Sequence, residues 1–140
     1  MPRGMYEYFE HTADVGLRVR ATTLDELFAD AARGMFALMI DADEPTQAGQ
    51  PVSFRLAADR LDDLLHDWLS ELLFTFEARQ LVLGRFDVHI TDTTLEAQAC
   101  SEPLDPARHT PGTEIKAVTY HGLSVQRDAD GYVAEVIVDT

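Results

Sequence analysis

The sequence predicts an α+β fold, a two-layer domain in which two amphipathic helices pack on a mostly antiparallel β-sheet. Three observations predict it. Two segments repeat apolar residues with helical period, several others alternate apolar and polar residues, and turn-forming residues stand between them. The 140 residues, 46% of them hydrophobic, suit a single domain over 1–140. A chain of that size buries a core without a disulfide or a structural metal.

The first helix begins at Leu24. Leu24, Leu27, Phe28, Ala31, Ala32, Met35, Leu38 and Met39 make one stripe. Thr23 and Glu26 read as a capping box, and Asp25 and Glu26 suit the positive end of the helix. Gly34 lies inside the pattern and weakens it. In the second helix Leu61, Leu64, Leu65, Trp68, Leu69, Leu72, Leu73 and Phe76 share a face. Asp59 is its expected N-cap, with Asp62 and Asp63 in the first turn, and Gly84 closes the segment after Leu81-Val82-Leu83.

The remainder reads as strand. Val15, Leu17 and Val19 alternate with Gly16, Arg18 and Arg20; Val52, Phe54 and Leu56 alternate likewise, as do Phe86, Val88 and Ile90, then Leu95, Ala97 and Ala99. Asp92-Thr93-Thr94 predicts one hairpin and Asp130-Gly131 another. Tyr132–Val138 is nearly all apolar, as befits a central strand. Two loops are expected, at Asp41–Pro51 and Ser101–Thr113.

Charge excludes more than hydropathy does. Eleven basic residues against 25 acidic ones give a net charge of −14, and Lys116 is the only lysine. Such a surface repels phosphate backbones, so no direct nucleic-acid binding is expected. A basic protein partner or a bound cation suits it better. No apolar run is long enough to cross a membrane and the N-terminus has no secretory pattern, so a cytoplasmic protein is expected.

The motifs of nucleophilic or nucleotide chemistry are missing. There is no G-x-S-x-G elbow, no Walker A sequence and no G-x-G-x-x-G. Cys100, the single cysteine, reads as a buried inert thiol. Asp128-Ala129-Asp130-Gly131 lacks the remaining ligands of a calcium loop and reads as a turn. The histidines, His11, His66, His89, His109 and His121, form no H-x-x-x-H or H-x-H pair; His66 and His89 read as surface residues.

Two places stand out. One is Glu10-His11-Thr12-Ala13-Asp14-Val15-Gly16, with two acids and a histidine between strand-like runs. The other is Asp139, at the end of a strand expected to be central. Buried there without a counter-charge, a carboxylate costs several kcal/mol. Neutralisation, Lys116 or a metal ion would each offset that cost. Two carboxylates and a backbone carbonyl suit a hard cation such as calcium or magnesium, provided that the strands carrying Asp14 and Asp139 are neighbours.

Over essentially its full length the chain resembles the archease family. The resemblance rests on four blocks: Tyr6–Gly16, Asp63–Leu73, Gly112–Leu123 and Val136-Ile137-Val138-Asp139. It implies a small α+β accessory protein, not itself an enzyme, that partners a GTP-dependent RNA ligase joining 3′-phosphate to 5′-hydroxyl ends. It further implies that the protein promotes guanylylation of the ligase's active-site histidine and repeated turnover, in tRNA splicing or RNA repair. The implied metal ligands are Asp14, Asp139 and the carbonyl of Thr140. The implied cofactor is a divalent ion, calcium first, with magnesium or manganese as alternatives. Lys116 resembles a base that the family needs, and His11 and His121, in the first and third blocks, join it as expected residues of ligase activation. The family ends in an apolar residue where this chain has Thr140, a difference of no consequence to a ligand that uses its backbone oxygen. A metal-dependent hydrolase and a general protein chaperone are the competing readings.

Overall fold

The computed structural model describes residues 5–11, 14–41 and 49–140, with the backbone alone at Glu10 and His11. Twelve elements follow in order: β1 (Met5–His11), β2 (Asp14–Ala21), α1 (Leu24–Met39), β3 (Ile40–Asp41), β4 (Gln50–Ala57), α2 (Leu61–Arg79), β5 (Leu81–Thr91), β6 (Thr94–Pro103), β7 (Thr110–Pro111), β8 (Ala117–Val118), β9 (Ser124–Asp128) and β10 (Gly131–Asp139). Every strand pairing among them is antiparallel.

The strands divide into separate sheets, where a single sheet is the simpler expectation. One runs β1-β2-β10, with β8 and β9 side by side along the far edge of β10. A second runs β4-β6-β5, and β3 pairs with β7. Both helices touch both larger sheets, so one core serves all of them. Trp68 sits at its centre, fully buried, edge-on to Phe54 and Phe86 at 5.4 and 6.1 Å between ring centroids. Its indole N–H donates to the Phe28 carbonyl at 3.0 Å and ties α2 to α1.

Local chemistry accounts for most boundaries. Thr23 is the N-cap of α1, and its hydroxyl accepts from the Glu26 N–H at 3.2 Å. The interior glycine of α1 has a packing reason. A Cβ on Gly34 would lie 2.9 Å from Leu17 Cδ1 and from Tyr6 Cγ, so the missing side chain lets β1 and β2 lie on the helix. Tyr8 donates its hydroxyl to the Gly34 carbonyl at 2.8 Å, and burial, with Tyr6 beside it, pushes that hydroxyl's pKa up to about 12. Both expected hairpins form: β5 returns as β6 through Asp92, whose φ is 55°, and β9 returns as β10 with Asp128 opposite Gly131. β10 lies between β2 and the β8–β9 edge, as a central strand should.

Several expectations are corrected. The N-cap of α2 is Arg60 rather than Asp59, and no side chain caps it. Asp62 instead accepts from the backbone N–H of Val125 at 3.0 Å, fastening the helix start to β9. Gly84 does not end the helical segment; α2 stops at Gln80 in a left-handed conformation, and Gly84 lies within β5 beside a bulge. Cys100 is half-buried, because it alternates out of phase with the buried Ala97 and Ala99 and faces Gly84, which has no side chain to cover it. The Ser101–Thr113 stretch is partly strand, since Ser101–Pro103 close β6 and Thr110–Pro111 pair with β3. The 42–48 part of the other expected loop lies outside the described residues.

Candidate functional site

The condition set on Asp14 and Asp139 is met in the sheet register. The two residues are Cα partners across β2 and β10. Partners directly opposite one another project to the same face. The Asp139 carbonyl turns towards β8, where it accepts from the Lys116 N–H at 2.7 Å. A strand residue directs its N–H and C=O to the same side, so Asp14–Asp139 is the non-hydrogen-bonded kind of pair, with Cα atoms about 4.5 Å apart. The two carboxylates therefore arise side by side at one end of the sheet.

The same lateral row extends both ways. His11 is the register partner of Asp14 on β1, and Ala117, next to Lys116, is the partner of Asp139 on β8. In the first block Thr12 and Ala13, and the side chain of His11, lie outside the described residues. Asp139 is exposed. The desolvation cost expected of a buried carboxylate is thus not incurred, because the residue closes its strand and points away from the helices. What opposes the pair is mutual repulsion, which a positive charge between or beside them relieves.

Lys116 reaches this end through a firmly tied segment. Gly112 and Thr113 donate backbone N–H groups to the Met39 and Leu38 carbonyls at 2.8 and 2.9 Å. A Cβ on Gly112 would meet those same carbonyls, so only glycine allows the approach. Ile115 is buried in the core and Lys116 itself is exposed. Upstream, His109 is 1% exposed and holds the segment's root. Its Nδ1 accepts from the Asp105 N–H at 2.8 Å, so Nε2 carries the proton and donates to Glu102 at 2.7 Å. His121 is exposed in the turn that follows β8, its N–H donated to the Thr119 hydroxyl.

The Glu102 anchor has a pH signature. The hydrogen bond from His109, and then the Arg108 guanidinium 3.0 Å away, hold this carboxyl below its ordinary value of 4.5. A carboxyl with a lowered folded-state pKa stabilises the fold above the unfolded-state value, and that contribution is lost as pH falls through the folded-state value. Glu102→Gln is therefore expected to lower the urea midpoint at pH 7 and to flatten its decline below pH 4.5. A decline as steep as that of the parent protein would contradict the assignment.

Sequence reasoning missed two residues here. His66 is not a solvated surface group: its side chain is 14% exposed. Its Nε2–H donates to the Val118 carbonyl at 3.1 Å, and Asp67 Oδ1 lies 3.1 Å from Nδ1. Its ring stacks on Tyr120, with centroids 3.8 Å apart and planes 15° from parallel. The available signal was that His66 and Tyr120 both fall in blocks that carry the family resemblance. His89, by contrast, is exposed as expected. Through these contacts the four blocks meet in one place: α2 touches β8 at Val118, Val118 pairs with Val138, and Asp139 pairs with Asp14.

Residues 6–140 match the archease protein family (MTH1598/TM1083). The chain belongs to the archease family. It is 40% identical to protein archease of Methanosarcina acetivorans over 96% of its own length and 94% of that protein's. It is 36% identical to protein archease of Thermococcus kodakarensis over 96% and 97% of the two chains. Among solved structures it is similar to the solution structure of Methanobacterium thermoautotrophicum protein 1598, with TM-score 0.77 and 30% identity over 96% and 98% of the chains. It also shares its fold with a Thermotoga maritima archease described as a possible chaperone, with TM-score 0.65 and 22% identity over 97% and 98%. Archease structures thus share the packing of two helices on antiparallel sheets.

The donor set at the sheet end fits a hard cation. It offers two carboxylates on adjacent strands and, one residue on, the Thr140 carbonyl, all oxygens of the kind that calcium or magnesium takes. Among the described residues no group of three or more His, Cys, Asp or Glu side chains is placed to hold a metal. Binding here would rest on those oxygens together with water. No helix among the described residues is long and apolar enough to cross a membrane.

Proposed function

We propose that this archease activates a GTP-dependent RNA ligase, promoting guanylylation of the ligase's active-site histidine and repeated turnover, in tRNA splicing or RNA repair. The convergence of the four sequence blocks around the Asp14–Asp139 pair is the observation that carries this reading. In it the carboxylates of Asp14 and Asp139 and the carbonyl of Thr140 hold a divalent cation, calcium before magnesium or manganese. Bound there, such a cation would supply Lewis-acid stabilisation of charge on phosphate oxygens. Lys116, brought to Asp139 by its own backbone hydrogen bond, balances the carboxylates or meets a phosphate. His11 belongs to the same end by its register with Asp14, whereas His121, in the turn after β8, lies farther along β10, level with Ile137–Glu135.

The protein accelerates the ligase only if it binds the activated arrangement more tightly than the resting one. The net charge of −14 suits contact with a basic protein surface and not with RNA. It acts in the cytoplasm and turns over no substrate of its own. The hydrolase reading asks for more side-chain ligands around one ion than the described residues of the sheet end bring together. The chaperone reading asks for a broad apolar surface, whereas the helical stripes are spent on the core.

The test is a guanylylation assay at limiting ligase, with and without this protein. Formation of the ligase–GMP adduct and multiple-turnover joining should both rise when it is added. Equal adduct and equal turnover would refute the proposal, and metal-dependent phosphatase or esterase turnover by the chain alone would favour the hydrolase.

A further inference from the structure

We infer that Tyr120, in the turn between β8 and β9, is the aromatic anchor of a protein-docking surface along that edge of the sheet, with a basic patch on the ligase as its partner and His66 positioning the ring. The inference rests on the ligase reading and assigns that reading a docking residue. Tyr120 is 62% exposed although one face of its ring is covered by His66. Its conformation is fixed before any partner arrives. The Thr119 N–H and hydroxyl both donate to the Ile137 carbonyl, at 3.0 and 2.9 Å, and the Leu123 N–H closes the turn on the Tyr120 carbonyl at 3.3 Å. Gly122, at φ 61°, supplies the left-handed step that the turn requires.

An exposed aromatic ring that is already ordered loses little conformational freedom on docking, the property that makes tyrosine a frequent hot spot. Charge selects the partner. The partly exposed Asp67 carboxylate lies beside the His66 ring, 3.1 Å from its Nδ1, and the chain as a whole carries a net charge of −14. A guanidinium stacked on the open face of Tyr120 would be drawn both by the ring and by this acidic surround.

The experiment titrates the protein against limiting ligase and reads two quantities, the concentration giving half-maximal stimulation and the stimulation at saturation. Tyr120→Ala is expected to raise the first tenfold or more and to leave the second unchanged. Tyr120→Phe should stay within twofold of the parent on both, since the ring face and not the hydroxyl makes the contact. His66→Phe, which keeps a ring beneath Tyr120, should remain closer to the parent than His66→Ala. Circular dichroism and thermal unfolding verify folding, which an exposed residue should not disturb. An unmoved half-saturation for Tyr120→Ala overturns the inference while the parent still stimulates. Absence of stimulation by the parent instead overturns the ligase reading. Broadening of the Tyr120 ring resonances by GTP alone at its cellular concentration would also overturn it, by making the ring a nucleotide platform rather than a protein anchor.

Discussion

Asp14→Ala and Asp139→Ala are each expected to reduce ligase guanylylation to the level seen without the factor, at every concentration of the variant. Each substitution removes half of a facing pair whose members neighbour one another across β2 and β10. One carboxylate with a backbone carbonyl and water is a poor site for calcium or magnesium, which take six or more oxygens and need negative charge to compete with bulk water. The loss should therefore be of maximal stimulation, not of apparent affinity, which separates these variants from Tyr120→Ala. For Asp139→Ala, stability should move the other way or not at all. Asp139 is exposed, and removing one of two like charges directly opposite each other relieves repulsion of a few tenths to about 1 kcal/mol. Asp139→Asn, which keeps the shape and discards the charge, should match the alanine variant in the assay and equal or exceed the parent in urea midpoint. Calcium binding followed by calorimetry should fail for all three. Full stimulation by any one of them would remove the carboxylate pair from the mechanism.

Helix and strand period were legible because burial writes them directly. The Leu24–Met39 and Leu61–Phe76 stripes face the core, and the inward residues of β5 and β6 are those that alternate in the sequence. The division into two larger sheets was not legible, since local alternation states which face a residue takes and not which strand it meets. The candidate site divides in the same way. Asp14 and Asp139 could be named as residues, but their meeting depends on a register spanning 125 positions that no local pattern encodes. His66 was misread for a related reason. Its place beside the apolar stripe of α2 looks solvated until the 116–123 segment, tied down by Gly112, Thr113 and Lys116, is laid over it. Tyr120 was hidden because no local pattern marks it, whereas in the fold it faces water with the His66 ring stacked on one face.

Trp68→Ala carries the largest expected effect on the fold, and it separates two contributions that the parent structure combines. The ring is fully buried and lies against Phe54 and Phe86. Removing a buried tryptophan leaves a cavity that neighbours fill only in part, costing about 3–5 kcal/mol. A domain of this size is stable by about 5–15 kcal/mol in all. The variant should thus melt about 10 °C or more below the parent, and a marginal parent would leave it unfolded at 37 °C. Trp68→Phe refills most of the space but loses the indole N–H that reaches the Phe28 carbonyl. That carbonyl lies inside α1, where the helix supplies its own donor, so no acceptor is stranded. The phenylalanine variant should therefore lose only about 1–2 kcal/mol, from one hydrogen bond and a smaller ring. The functional consequence follows from position. Trp68 stands two residues after His66 on the same helix, so loosening α2 loosens the support beneath Tyr120. Below its melting temperature Trp68→Ala should show a raised half-saturation for ligase stimulation with a maximum that tracks the folded fraction. Trp68→Phe should match the parent in both. Melting of Trp68→Ala within 2 °C of the parent would show that the core does not depend on this ring.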